Sequence, residues 1–218
     1  MTPMSLHVGS WRGGAGGRVG HSGKWELRRR VVAARRAVPV AVRAAEAAAL
    51  AATALPVDRP DTVCAYWPVG AEPGSAELLD SLVGRGCRVL LPLVTHLGPL
   101  DWADYRDASS LRAGPLGLRE PTGPPLGAGV IATAALVLVP ALAVDWHGTR
   151  LGRGGGHYDR TLPLASPGIP LVAVVRDDEV LASVPSQPHD VPVTAALTPR
   201  RGLFTLPSDH AGQILRDR

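Results

Sequence analysis

The sequence predicts an α/β protein, a three-layer α/β/α sandwich around a mostly parallel, Rossmann-like sheet. Apolar runs at 62–67 and 87–93 have the length and composition of buried strands. The segment 75–84 between them has the length of a helix, and the order strand, helix, strand requires parallel pairing. Two later apolar runs, 135–139 and 171–175, are typical of strands that are covered on both faces.

The length and composition of the chain suit one globular domain. The chain has 218 residues, of which 45% are hydrophobic and only 4% aromatic, so its core must consist of Val, Leu and Ala. Residues 1–20 are rich in Gly and Arg and lack the apolar block of a signal peptide. We therefore expect a disordered N-terminal extension at 1–20 and a single domain at 21–218.

Two helices are predicted before the first strand. Residues 24–37 carry apolar side chains on one side, Leu27 and Val31 among them, and arginines elsewhere. Pro39 breaks this helix, and an alanine-rich helix follows at 41–55.

The elements after the second strand are short. We expect an edge strand at 100–105 and a loop rich in Gly and Pro at 112–129. A short helix at 158–164 and a last strand at 193–197 complete the prediction.

One uncharged stretch, 126–144, has the length of a membrane-spanning helix. Gly127, Gly129 and Pro140 interrupt it, and its apolar centre is short and β-branched. A loop followed by a buried strand is the better interpretation, so we expect no association with a membrane.

The chain has a formal net charge of +4, which favours an anionic partner. A nucleic-acid-binding protein is one alternative, but the aromatic and base-reading motifs of such modules are lacking. We expect a nucleotide or another small anion and no nucleic acid. The basic residues concentrate near the N-terminus, at Lys24, Arg28, Arg29, Arg30, Arg35, Arg36 and Arg43.

Both cysteines, Cys64 and Cys87, lie in apolar runs that are predicted to be strands. Buried free thiols in a reducing compartment are the favoured interpretation, with a disulfide between them as the alternative.

The most specific signal is a glycine loop at 150–160, which reads Arg-Leu-Gly-Arg-Gly-Gly-Gly-His-Tyr-Asp-Arg. It follows a predicted buried strand and leads into a predicted helix. Glycines let backbone amides approach an anion closely, and a helix N-terminus favours phosphate. The loop is not a common nucleotide motif, because His157 stands where G-x-G-x-x-G has its third glycine and G-x-x-x-x-G-K-[ST] is absent. A tight turn without a ligand is the alternative.

This loop resembles the R-L-G-x-G-x-G-Y-Y-D signature of the 5-formyltetrahydrofolate cyclo-ligase family. Further family motifs match in the same order, so that the resemblance covers about residues 24–200. The matching segments are Lys24 with Arg28, Trp67 with 72–75, 117–121, 135–148 and 189–193.

The chain also departs from the family pattern. His157 replaces the usual first tyrosine of the glycine loop, and Thr194 replaces the second aspartate of the C-terminal motif. Gly74 and Ser75 stand for Asp-Thr, and Ala141 and Val144 stand for Gly and Phe. These changes bear on the folate contacts.

The resemblance implies a ligase that uses ATP and Mg²⁺ to cyclise 5-formyltetrahydrofolate to 5,10-methenyltetrahydrofolate, with the formyl oxygen phosphorylated on the way. It assigns no single catalytic residue. We expect a cytoplasmic monomer. The resemblance assigns ATP binding to Lys24, Arg28, Arg150, Leu151, Gly152, Arg153, Gly154, Gly155, Gly156, His157 and Tyr158. It assigns folate binding to Trp67, Glu72, Arg153, Gly154, Gly155, Gly156 and His157, and magnesium binding to Asp159 and Asp190.

Each of these residues also has a local explanation. Lys24 and Arg28, four positions apart on a helix, are by themselves typical of a solvated basic face. Asp159 can serve as a helix N-terminal acid and Asp190 as a loop acid. Trp67 can be ordinary core and Glu72 an acid at a helix entry.

A different enzyme on a related scaffold is the competing prediction, because a fold does not determine a function. A sugar-phosphate isomerase or a CoA-transferase-like protein would bind a phosphosugar or CoA without hydrolysing ATP.

Overall fold

A computed structural model describes residues 19–95, 98–114 and 117–207, with side chains from Gly23 onward. The predicted extension lies outside these residues, except that residues 19–20 belong to the first helix. In the described ranges the helices are α1 (Val19–Ala37), α2 (Val40–Ala52), α3 (Ala76–Gly84) and α4 (His157–Thr161).

The strands form one large sheet and two small ones. The large sheet has seven strands in the order β12-β11-β9-β6-β1-β2-β3. Its four inner pairings are parallel, and only the edge strands β12 and β3 run antiparallel to their neighbours. The strands are β1 (Thr62–Cys64), β2 (Arg88–Leu93), β3 (Asp101–Tyr105), β4 (Leu111–Ala113), β5 (Arg119–Pro121), β6 (Ala134–Pro140), β7 (Ala143–Asp145), β8 (Arg150–Leu151), β9 (Leu171–Val174), β10 (Val180–Leu181), β11 (Ala195–Thr198) and β12 (Gly202–Thr205).

The centre of the large sheet has a topological switch point between β1 and β6. From β1 the chain proceeds to β2 on one side, and from β6 it proceeds to β9 on the other. Ligands of open α/β sheets bind beyond the carboxyl ends of strands at such a point. The segment with Trp67 and Glu72 follows β1, and the segment that leads to the glycine loop follows β6.

Both faces of the large sheet are covered. On one face, Leu50 of α2 and Leu79 of α3 pack against Leu136 of β6. On the other face, Ile131 and Leu162, which belong to short 3₁₀ turns, pack against Val137. The predicted three layers are therefore present, although the second outer layer consists of short turns and a small sheet.

Helix α1 is anchored by a buried ion pair. The guanidinium of Arg35 donates to both carboxylate oxygens of Glu179, at 2.6 and 2.7 Å, and to the carbonyl of Ala141 at 2.6 Å. Burial alone would lower the pKa of Arg35, but Glu179 outweighs it and the pKa is raised. The contact fixes α1 to the end of β6 and to the turn before β10.

Most elements predicted from the sequence are present with altered bounds. The strand expected at 62–67 pairs only over Thr62–Cys64, and the segment expected at 158–164 is helical over His157–Thr161 with a 3₁₀ turn after it. The loop predicted at 112–129 is wrong in part, because 111–113 and 119–121 form a two-stranded sheet. That hairpin is too short to show an alternating pattern.

The cysteines and the uncharged stretch agree with the sequence predictions. Cys64 and Cys87 are buried free thiols, and they belong to the cores on opposite faces of the sheet. Residues 134–140 form the buried central strand β6. Across the described ranges, no helix combines the length and the apolar character needed to cross a membrane.

Candidate active site

The glycine loop lies between β8 and α4. Gly154 and Gly156 have φ of +105° and +68°, which side chains other than glycine rarely adopt. The backbone amides of residues 153–156 donate no hydrogen bond to any residue that the structure describes. Residues 153–155 are also exposed. The loop therefore presents a run of available N–H donors, which suits an anion with several oxygens.

Two cations from α1 reach this region. Lys24 is only 5% exposed, and its Nζ donates to Oδ2 of Asp190 at 2.6 Å. One turn later, Nε of Arg28 donates to the carbonyl of Gly152 at 2.9 Å. A solvated basic face is therefore the wrong explanation for Lys24, and α1 holds both the glycine loop and the 187–193 segment.

A second ion pair joins the start of the loop to α4. Arg150 is 6% exposed, and its Nη2 donates to Oδ1 of Asp159 at 2.6 Å. Its Nη1 donates to the carbonyl of Val191 at 2.8 Å. Asp159 stands in the first turn of α4, as its local explanation requires, but it also contacts the segment that carries Asp190.

Three residues that the sequence prediction gave no site role hold these segments in place. The buried carboxylate of Asp145 accepts the amides of His147 and Thr149 and, through its other oxygen, that of Val184. The carbonyl of Gly148 accepts the amide of Val193 at 2.9 Å, and the two backbones lie so close that a Cβ at Gly148 would overlap the Val193 carbonyl oxygen.

One of the expected folate residues, Glu72, contacts the glycine loop directly. Nε of Arg153 donates to Oε1 of Glu72 at 2.8 Å, while Oε2 of Glu72 accepts the amide of Val69 at 2.9 Å. Trp67 is half-buried, with the guanidinium of Arg119 5.3 Å from its ring centre. The local explanation of Glu72 as a helix-entry acid is incomplete, since its side chain binds the loop.

His157 and Tyr158 begin α4 and differ in their surroundings. Burial, and secondly the charge of Arg160, lower the pKa of His157, so its imidazole is neutral at neutral pH. The buried hydroxyl of Tyr158 has no hydrogen-bond partner among the described residues, and burial raises its pKa. A buried hydroxyl without a partner is costly unless a ligand supplies one.

The structure thus brings most of the predicted residues together around one loop. Each of the acids Glu72, Asp159 and Asp190 is paired with a cation from a different segment. For Asp190, burial would raise the pKa, but Lys24 and the amide of Gln187 outweigh it and the pKa is lowered. All three carboxylates therefore accept hydrogen bonds from cations of other segments.

The donor set at Asp159 and Asp190 has the chemistry that magnesium needs. Oδ2 of Asp159 accepts no hydrogen bond from a described residue, and Oδ1 of Asp190 has only His189 at 3.9 Å. Magnesium is usually held by one or two carboxylates together with nucleotide phosphates. The described residues contain no group of three or more His, Cys, Asp or Glu side chains that could hold a metal by themselves.

A comparison with models of protein families identifies the family of this chain. The model of the 5-formyltetrahydrofolate cyclo-ligase family matches residues 20–199. The chain belongs to the 5-formyltetrahydrofolate cyclo-ligase family. Members of this cyclo-ligase family are ligases, and ATP-dependent cyclisation is the family activity.

Relatives with a curated name agree with this assignment. The chain is 50% identical over 190 residues to the 5-formyltetrahydrofolate cyclo-ligase of Mycolicibacterium smegmatis, which covers 84% of this chain and 97% of the relative. It is 29% identical over 153 residues to the 5-formyltetrahydrofolate cyclo-ligase of Escherichia coli K12, which covers 67% of this chain and 82% of the relative.

Solved structures support the cyclo-ligase fold. The 5,10-methenyltetrahydrofolate synthetase of Aquifex aeolicus matches with a TM-score of 0.71 at 24% identity, over 85% of this chain and 93% of that one. The 5,10-methenyltetrahydrofolate synthetase of Mycoplasma pneumoniae matches with a TM-score of 0.63 at 17% identity, over 79% of this chain and 96% of that one. At these identities the likeness establishes the fold, and the predicted α/β class with a mostly parallel sheet is confirmed.

Proposed function

We propose that this chain closes the ring of 5-formyltetrahydrofolate to give 5,10-methenyltetrahydrofolate, with ATP converted to ADP and phosphate. The observation that carries the proposal is the glycine loop, whose amides have no acceptor among the described residues and which is joined by side chains to the expected ligands. The ion pairs Lys24–Asp190 and Arg150–Asp159 gather the expected phosphate and magnesium ligands, and the pair Arg153–Glu72 joins the loop to an expected folate ligand.

In this reaction the γ-phosphoryl group of ATP passes to the formyl oxygen. The folate N10 then attacks the activated formyl carbon, and the former formyl oxygen leaves with phosphate. Transfers of this kind depend on positioning and charge neutralisation more than on covalent chemistry by the protein. Consistent with this, we assign no nucleophile to the chain.

The triphosphate is held by the amides of residues 153–156 with Lys24, Arg28 and Arg150, while His157 and Tyr158 complete the ATP pocket. The expected contact of Leu151 with ATP is not supported, because its side chain is fully buried in a core of the protein. Arg28 already touches the loop through Gly152, so α1 and the loop form one cradle. Bound Mg²⁺ would supply charge neutralisation between the phosphates, and Asp159 and Asp190 would hold it through their unpaired oxygens.

The pterin lies against Trp67 and Glu72. A tryptophan ring can stack on a pterin, and a carboxylate can accept its N–H donors. Arg153, paired with Glu72, faces both substrates together with Gly154, Gly155, Gly156 and His157.

We place the reaction in the cytoplasm, where two buried free thiols persist. We further propose that the chain acts as a monomer without a nucleic-acid partner. Lys24, Arg28 and Arg35, three members of the N-terminal basic stretch, support the second point because they form contacts within the fold.

The growth of methenyltetrahydrofolate absorbance tests the proposal when the purified chain receives 5-formyltetrahydrofolate, ATP and Mg²⁺. We expect product only when all three are present. If no product forms while a phosphosugar or CoA ester is turned over, the competing enzyme class is correct.

A further inference from the structure

A second concave site lies beside the candidate active site. It is a cleft of about 270 Å³ between the first turns of α2 and the 70–74 loop. Sites for whole drug-sized ligands are usually about 300–1,000 Å³, so this cleft suits one portion of a larger ligand. Its charged lining residues are Arg43, Glu46, Glu72 and Arg176.

The cleft is continuous with the candidate active site through Glu72. This residue forms part of the cleft wall, and its carboxylate also binds Arg153 of the glycine loop at 2.8 Å. A ligand that contacts Glu72 can therefore extend either toward the loop or into the cleft. Because the loop side is assigned to the triphosphate, the cleft remains for the rest of the folate.

Among the charged residues of the cleft, one cation has no partner in the described part of the chain. Glu46 accepts from Arg176 at 2.8 Å, and Glu72 is held by Arg153, so both acids of the wall are neutralised. Arg176 is further engaged by Asp178 at 3.5 Å. The guanidinium of Arg43 forms no hydrogen bond or ion pair with any residue in the described part of the chain, and the residue is half-buried.

We propose that this cleft binds the carboxylate-bearing glutamate tail of the folate and that Arg43 is the residue that recognises it. This inference rests on the proposed function and adds a subsite to it. A guanidinium matches the planar geometry of a carboxylate and can bind it through two parallel N–H donors. The site selects substrates that carry at least one glutamate over those that carry none.

The test compares Arg43→Ala with the wild type on two substrates, 5-formyltetrahydrofolate and 5-formyltetrahydropteroate, which lacks the glutamate. We expect the KM for the glutamate-bearing substrate to rise about tenfold, as for the loss of one charge-assisted hydrogen bond. The KM for the pteroate and the KM for ATP should stay unchanged. Arg43→Lys should recover part of the loss, since it retains the charge.

Two controls isolate the site. Arg36→Ala removes an exposed arginine of α1 that lies outside the cleft and should leave both KM values unchanged. Arg119→Ala removes the cation over the ring of Trp67, the competing place for the tail. If Arg119→Ala, and not Arg43→Ala, selectively weakens the glutamate-bearing substrate, the tail lies there and the inference is wrong.

Equal losses on both substrates in Arg43→Ala would also overturn the inference, because Arg43 would then not sense the tail. Failure of the proposed function is a different result: the wild type would form no methenyl product from either substrate. Equilibrium binding of the two substrates, followed by tryptophan fluorescence, makes the same comparison without turnover. It therefore decides the inference in that case too.

Discussion

Nε of Arg153 lies 2.8 Å from Oε1 of Glu72 and joins the glycine loop to the segment after β1. The side chain of Arg153 is 61% exposed, whereas that of Glu72 is 11% exposed. The pair thus connects an exposed cation with a largely buried carboxylate. We expect it to be a functional contact with little effect on stability.

Arg153→Ala and Glu72→Gln test this expectation. Ion pairs with an exposed partner contribute about 0–1 kcal/mol, so both variants should melt within a few degrees of the wild type. Glu72→Gln should raise the KM for the folate and Arg153→Ala the KM for ATP. A drop of many degrees in the melting temperature of both variants would instead show that the pair holds the fold together.

Asp159→Asn and Asp190→Asn should each lower turnover by about 10²–10³, as expected for the loss of one electrostatic element of a phosphoryl-transfer site. Part of the loss should be recovered at high Mg²⁺. Stability should fall as well, by roughly 1–3 kcal/mol for Asp190→Asn, because the ammonium of Lys24 stays buried with a weaker acceptor.

Asp104→Asn is the matched control for these two variants. Asp104 also binds an arginine, Arg88, at 2.6 Å, but both side chains are more than 40% exposed. Turnover should be normal and the stability loss below about 1 kcal/mol. Normal turnover of both site variants at sub-millimolar Mg²⁺ would place the metal elsewhere.

Gly148→Ala should destabilise the chain far more than Gly168→Ala. Both glycines have φ near +80°, so both variants carry the same backbone strain of about 1–2 kcal/mol. Only at Gly148 would the new Cβ overlap the carbonyl of Val193, since nothing lies within 4 Å of one at Gly168. Chemical denaturation of the two variants gives the difference, and equal losses would mean that the Val193 contact is easily relaxed.

Both thiols should resist alkylation in the folded chain. Burial raises the pKa of Cys64 to about 12 and also raises that of Cys87, and the reactive species is the thiolate. At pH 8 iodoacetamide should label neither cysteine quickly, whereas the chain in denaturant should take up two labels. Rapid labelling of Cys87→Ser under native conditions would show that Cys64 becomes accessible through opening of the sheet.

Local patterns were enough to predict the layered fold and the glycine loop. The central strand β6 is an uninterrupted apolar run, and the loop that follows it carries its glycines in consecutive positions. The small sheet of β7, β8 and β10 could not be predicted, because strands of two or three residues show no periodicity. It is this sheet that turns the chain from β6 into the glycine loop.

The ion pairs among the site residues could not be predicted from the sequence either, for a different reason. Lys24 and Asp190 are 166 residues apart, and nothing in the local pattern of either shows that one neutralises the other. Lys24 is typical of a solvated helix face until its partner is known. The resemblance to a family identified the candidate site residues, and the structure shows which residues they bind.

The anchor at Arg35 sets the rotation of α1 as well as its position. Lys24, Arg28 and Arg35 stand on the same helix, so a turn of α1 about its axis that moved Arg35 away from Glu179 would swing the other two by the same angle. The eleven helical steps from Lys24 to Arg35 span about 16 Å at the usual rise per residue. A substitution of Glu179 should therefore alter the position of Lys24 and Arg28, the proposed triphosphate ligands, although it lies about three helical turns away. The two proposed phosphate ligands and the residue that orients them therefore belong to one continuous helix.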